Sequence, residues 1–141
     1  MSIDPNCFYC AKDQRLHDLM IEVCQLEAST VYFFKEQTYR GRCVVTFHRH
    51  VRHLTELSEA EVAAFFHDVT KVAKAIEKAF APAKVNYGLF GDTSPHVHCH
   101  VVPKYEGGPS WNTTFEMMPS PKQLLSDAEY QAMIAALKQN L

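Results

Sequence analysis

The chain has no surplus of basic charge. Fourteen lysines and arginines stand against 16 aspartates and glutamates, a formal net charge of −2 over 141 residues. That balance argues against a dedicated polyanion binder but admits a small phosphorylated ligand. Long apolar runs are absent too, and each run present is too short to cross a bilayer. The opening residues Met1-Ser2-Ile3-Asp4-Pro5-Asn6 lack the basic and apolar stretches of a secretory signal. A cytoplasmic protein with no membrane partner is expected. An even cysteine count is also missing: five cysteines cannot close a complete intrachain disulfide framework. In a reducing compartment Cys7-Phe8-Tyr9-Cys10 reads as a metal or redox pair, whereas Cys24, Cys43 and Cys99 read as small buried hydrophobes.

No internal repeat, low-complexity tract or linker divides the chain, so residues 1–141 are expected to form one domain. The apolar fraction of 47% and charged fraction of 21% suit a packed core. Met20 to Leu26 suits a strand, or equally the tail of a helix from Asp13. Ser29 to Lys35 is a second strand, with Glu27-Ala28 able to turn a hairpin between them. Gln37 to Gly41 reads as a turn before a β-branched strand from Arg42 to His48. Ser58 and Glu61 form a capping box for a long helix carrying Val62, Phe65, Phe66, Val69, Val72 and Ile76 on one face, stopped near Phe80 by Pro82. Two further strands, Lys84 to Phe90 and His96 to Lys104, precede a terminal helix capped by Ser126 and Glu129. Short connections favour an α+β fold, an antiparallel sheet of about five strands with one long helix and a C-terminal helix.

Eight histidines are grouped rather than scattered: His48, His50 and His53 form one cluster, His96, His98 and His100 another. On a strand, residues two apart share a face at roughly 6 to 7 Å. His96, His98 and His100 would therefore line one side while Val97, Cys99 and Val101 face the core. Two chemistries suit such a row. A His-x-His pair can hold a zinc ion with an open position, or one imidazole can attack phosphorus while its neighbours steady the developing charge. Lys35, Arg40, Arg42, Arg49 and Arg52 read mostly as solvated charges, with Arg40 or Arg42 able to approach a phosphate. Trp111 suits either the wall of a base pocket or a cover for the sheet edge.

His96-Val97-His98-Cys99-His100-Val101-Val102 resembles the His-φ-His-φ-His-φ-φ signature of the histidine-triad (HIT) superfamily. The resemblance extends in chain order through Cys7-x-x-Cys10, Tyr39-x-Gly41 with Cys43-Val44-Val45, His50, the long helix, Asn86, Gly91-Asp92-Thr93, Pro103-Lys104 and Trp111. It implies that His98 attacks the α-phosphate of a dinucleoside polyphosphate or nucleoside phosphoramidate, forming a nucleotidyl-histidine that water then hydrolyses. It also implies that His100 contacts the phosphate and His96 completes the cluster. Asn86 and Thr93 match phosphate or leaving-group positions, and Glu36 is the nearest candidate for the ribose.

The zinc-binding version of the family implies a closed structural set of Cys7, Cys10, His50 and His96, with His48 and His53 as rivals to His50. No organic cofactor is implied, and a homodimer through the long helix and a sheet edge is. One position departs from the common pattern, Asp92, which stands where an amide is usual. A carboxylate beside a phosphate repels it, so the resemblance also admits a nucleotide-sensing module with little turnover. A third reading, a zinc-dependent hydrolase, would use His96 and His98 as ligands.

Overall fold

A computed structural model describes residues 4–141. Five strands, β1 (Met20–Gln25), β2 (Ser29–Phe34), β3 (Cys43–Phe47), β4 (Lys84–Gly88) and β5 (His98–Lys104), form one antiparallel sheet in the order β1-β2-β3-β5-β4. Four helices accompany them: α1 (Phe8–Ala11), α2 (Gln14–Leu19), α3 (Glu59–Phe80) and α4 (Asp127–Lys138). The expected α+β class, strand number, long helix and terminal helix are all present.

Every residue of β2, β3 and β5 is buried. These strands are covered on both faces, so they read as near-continuous apolar runs rather than alternating ones. On one face, Phe65, Val69, Val72 and Ile76 of α3 and Tyr130, Met133, Ile134 and Leu137 of α4 pack against Val31, Phe33, Cys43, Val45, Cys99 and Val101. On the other, Tyr9, Leu16 and Met20 pack against Tyr32, Phe34 and Val44. The sheet thus separates a large core from a smaller one beside which the histidines stand.

Local chemistry sets the ends of the elements. Ser58 accepts from the Glu61 N–H while the Glu61 carboxylate accepts from the Ser58 N–H, and Ser126 and Glu129 repeat the pattern at α4. Gly41 has φ +93°, and a Cβ there would lie 2.6 Å from the Phe80 ring. The turn into β3 and the end of α3 therefore meet at a residue that has to be glycine.

One open reading is resolved and two others are corrected. Residues 14–25 are both helix and strand, since α2 ends where β1 begins. The register of β1 shifts between Glu22 and Cys24, a bulge that puts Val23 and Cys24 together against the large core. Phe66 is 37% exposed rather than core, because the buried stripe of α3 runs through Phe65, Asp68 and Val69 and turns the neighbouring ring outward. β5 begins at His98, so His96 lies ahead of the ladder.

Asp68 is the one acid buried on α3, and it ties the helix to the β1–β2 hairpin by accepting from Ser29 Oγ (2.6 Å) and the Ala28 N–H (2.9 Å). Asp68→Ala leaves the Ser29 hydroxyl and a main-chain N–H without their acceptor. It is expected to cost about 2–3 kcal/mol, read from the shift in urea unfolding midpoint at neutral pH.

Candidate functional site

The strand β5 lies between β3 and β4, and its alternation sends Val101 and Cys99 into the large core and His98 and His100 to the opposite face. All three histidines are buried, at 3%, 6% and 4% exposure for His96, His98 and His100. Burial demands a partner for each ring, and each partner can play only one role. His96 Nε2 lies 2.7 Å from the Phe47 carbonyl and must donate to it, leaving the Nδ1 lone pair free. His98 Nδ1 lies 2.6 Å from the His96 carbonyl and must likewise donate, which leaves the lone pair on Nε2.

At His100 the logic reverses, because Arg42 Nη2, 3.0 Å from Nδ1, can only donate. His100 Nδ1 is therefore the acceptor, and the ring proton sits on Nε2. Burial holds all three rings below the ordinary histidine range, His96 at about 4 and His100 at about 3. The neighbouring Arg42 charge adds to the depression at His100, and the carbonyl bonds partly oppose it at His96 and His98. The rings are neutral at pH 7.

His98 and His100 open onto a cavity of about 590 Å³ lined by Phe8, Tyr9, Leu19, Met20, Phe34, Phe90, Phe115, Met117 and Met118. Asp92, Thr93 and Ser94 form its polar rim. A mostly apolar cleft with a few convergent polar groups is the usual form of a small-molecule site. The aromatic and methionine walls were not legible as a set in the sequence, since they come from five separate segments.

Other expected site residues lie elsewhere. Glu36 is buried, but its carboxylate accepts from Thr38 Oγ1 and N–H and from the Gln123 N–H, and it does not line this cavity. Asn86 is half-buried on β4, opposite Val102 and therefore on the histidine face, but it also lies outside the cavity wall. Trp111 receives the Lys84 ammonium over its ring at 3.9 Å and covers the β4 edge. Arg42, read as a mostly solvated charge, is fully buried: it enters β3 on the face of Val44, the register partner of His100. Its sequence signal was position, a charge at the mouth of a strand that is apolar apart from Thr46.

His96 joins a second constellation. Cys7, Cys10, His50 and His96 each offer a ligand atom, all within 4.8 Å of one another and clear of His48 and His53. His96 Nδ1 lies 3.4 Å from Cys7 Sγ, 3.6 Å from Cys10 Sγ and 3.1 Å from His50 Nδ1, and Cys10 Sγ lies 3.2 Å from His50 Nδ1. The edges of a tetrahedron with zinc–sulfur and zinc–nitrogen bonds are roughly 3.3–3.8 Å, close to these separations. His96 offers the lone-pair nitrogen because its other nitrogen donates to Phe47, the arrangement that orients a ligating imidazole. The four residues fit a tetrahedral metal, and His98 is outside the set.

Residues 16–107, well over half the chain, match the model of the HIT domain. The chain belongs to the HIT domain family. Over 69 residues this HIT chain is 36% identical to a bis(5'-nucleosyl)-tetraphosphatase [asymmetrical] of Schizosaccharomyces pombe, a match covering 45% of this chain and only 38% of that protein. Its fold is similar to a HIT protein of Sinorhizobium meliloti 1021, with TM-score 0.83 at 22% identity over 92% of this chain and 95% of that one. It is also similar to a Zn-bound histidine triad family protein of Mycobacterium smegmatis, with TM-score 0.68 at 21% identity over 94% of each chain.

The four-residue cluster in this HIT domain is open to a direct test. Elemental analysis of protein purified without chelator is expected to find about one metal ion per chain. Replacing Cys7 and Cys10 together by serine should remove it and lower the thermal midpoint. A metal-free wild type with an unchanged midpoint in the variant would exclude a metal here.

Proposed function

We propose that this HIT protein is a nucleotide hydrolase or nucleotidyl transferase, acting at the α-phosphate of dinucleoside polyphosphates or nucleoside phosphoramidates. The observation that carries this reading is the hydrogen bond from His98 Nδ1 to the His96 carbonyl. It leaves a neutral imidazole with its lone pair on Nε2, at the wall of a cavity large enough for a nucleoside. The tetraphosphatase named above supports the same class of substrate.

In this scheme the nucleoside packs among the apolar walls and His98 Nε2 attacks phosphorus. A P–N bond forms, the bond from phosphorus to the leaving oxygen or nitrogen breaks, and its electron pair departs with a leaving group that takes up a proton. Water then attacks the nucleotidyl-histidine, the P–N bond breaks, and its pair returns to Nε2 as the nucleoside monophosphate leaves. His100 donates from Nε2 toward the phosphate as charge develops, and the Thr93 hydroxyl, on the cavity rim, binds phosphate or leaving group. His96 makes no phosphate contact in this scheme, since both its ring nitrogens are engaged, and it supports the carbonyl that orients His98.

Zinc is the metal proposed for Cys7, Cys10, His50 and His96, because two thiolates and two imidazoles make a closed tetrahedral set suited to structure rather than chemistry. The Zn-bound fold neighbour supports this choice. The same geometry disfavours a zinc-dependent hydrolase using His96 and His98 together. A second reading, a nucleotide sensor with little turnover, is favoured by Asp92, whose carboxylate lines the cavity and has no ion-pair partner among the described residues.

Incubation with a panel of dinucleoside polyphosphates and adenosine phosphoramidates distinguishes these readings. The expected result is nucleotide release that survives brief chelation and falls by about 10³-fold or more in His98→Ala, with a nucleotidyl adduct on His98 detected by mass spectrometry. Tight binding without release would favour the sensor. A homodimer formed through α3 and a sheet edge is part of the proposal, and light scattering at micromolar concentration is expected to give twice the chain mass. A monomeric mass would refute it.

A further inference from the structure

Arg42 is the most heavily buried charged side chain among the described residues, at 0% exposure. Its guanidinium is enclosed by the Phe34 ring at 4.1 Å and the Phe115 ring at 5.2 Å, both of which also wall the nucleoside cavity. Its remaining contacts are weak for a buried cation: the Glu116 carbonyl at 3.4 Å and Met117 Sδ at 3.3 Å. No carboxylate lies within ion-pair distance of it, and its Nε has no hydrogen-bond partner among the described residues. A buried charge left in this state costs stability. An apolar residue of similar length would fill the same space between two aromatic rings at lower cost. The one strong contact the guanidinium makes is to His100 Nδ1, at 3.0 Å.

The register explains why that contact is specific. Val44 pairs directly with His100, and Arg42 stands two residues earlier on the same face of the sheet, diagonally across from the imidazole. From there it reaches Nδ1 of the ring, while Nε2 has no protein partner among the described residues and is not enclosed, and His98 and His100 both line the cavity. A neutral histidine can carry its proton on either nitrogen. A carboxylate or carbonyl at Nδ1 would place the proton there and turn a lone pair toward the cavity. A guanidinium does the opposite.

We propose that Arg42 is a positioning residue for the reaction: by donating to His100 Nδ1 it fixes the Nε2–H tautomer, so His100 presents a proton rather than a lone pair to a phosphate beside His98. The same contact places a permanent positive charge one imidazole behind the phosphate, in a site where water does not screen it. The phosphate subsite then has a fixed donor backed by a fixed charge, and its charge does not depend on protonating His100. This assignment rests on the cavity being the phosphate site, as proposed above.

The test separates tautomer from turnover. Nitrogen-15 NMR of the imidazoles, with the His100 signals identified by their loss in His100→Gln, reads the tautomer without any substrate. Wild type and Arg42→Lys, which can also only donate, are expected to show His100 protonated on Nε2 alone. Arg42→Met, and Arg42→Leu should the methionine variant fail to fold, are expected to show a mixture or the Nδ1–H form. With a dinucleoside tetraphosphate as substrate, their kcat should fall by about 10²-fold while KM changes less than about threefold. Arg42→Lys should retain more activity than either. A single Nε2–H tautomer in the methionine or leucine variant would overturn the proposal, and so would a changed tautomer with kcat within twofold of wild type. A wild type that turns over no nucleotide would refute the hydrolase reading instead, and the NMR result would still decide the role of Arg42.

Discussion

The chemistry of this site depends on partners that have no choice of role. A main-chain carbonyl can only accept and a guanidinium can only donate. Phe47 and His96 offer carbonyls to His96 Nε2 and His98 Nδ1, and Arg42 offers N–H groups to His100 Nδ1. Three residues of one type, spaced identically along the chain, thereby end in three different states. His96 turns a lone pair toward the two cysteines and His98 leaves one on its outer nitrogen. His100 carries a proton there. Burial keeps all of them neutral, so the distinction persists at physiological pH.

What surrounds the imidazoles is held by polar contacts from distant parts of the chain. Tyr9, on α1 between the two cysteines, packs its ring against His96 at 5.6 Å and His98 at 5.2 Å. Cys7 and Cys10, on either side of Tyr9, stand with His50 and His96, so this cluster lies in the segment that packs over His98. On the other side, residues 110–123 bring Phe115, Met117 and Met118 over the sheet. That segment is fastened by Gln37 N–H to the Gln123 carbonyl, Gln123 N–H to Glu36, and Glu116 N–H to the Tyr39 hydroxyl. The Lys104 ammonium adds bonds to the Ser110 and Thr113 carbonyls. From this position Glu36 holds the end of the segment that forms a cavity wall.

Much of the frame was legible in the sequence because it rests on local rules. The two capping boxes, the 3.6-residue stripe of α3 and the turn at Gly41 each depend on residues a few positions apart. The alternation His-Val-His-Cys-His likewise separated site from core for β5. The readings that failed had long-range causes. Arg42 is buried because β5 and the loop at Phe115 close over it, and Phe66 is exposed because the buried stripe of α3 is narrower than its apolar residues suggest. The row of three histidines was read as one strand face, but β3 and β5 pair only as far as Thr46 and His98. His96, free of the ladder, turns toward the N-terminal cysteines.

By itself the sequence determined the elements, the separation of the histidine face from the core and the chain-order pattern that identifies the family. These follow from side-chain periodicity and backbone chemistry acting over short spans. Only the tertiary structure decided what each imidazole is. A tautomer is set by whichever group lies within about 3 Å of a ring nitrogen, and here those groups come from positions 42, 47 and 96. Which of them arrives depends on how the strands are paired, information that the sequence spacing of three histidines does not contain.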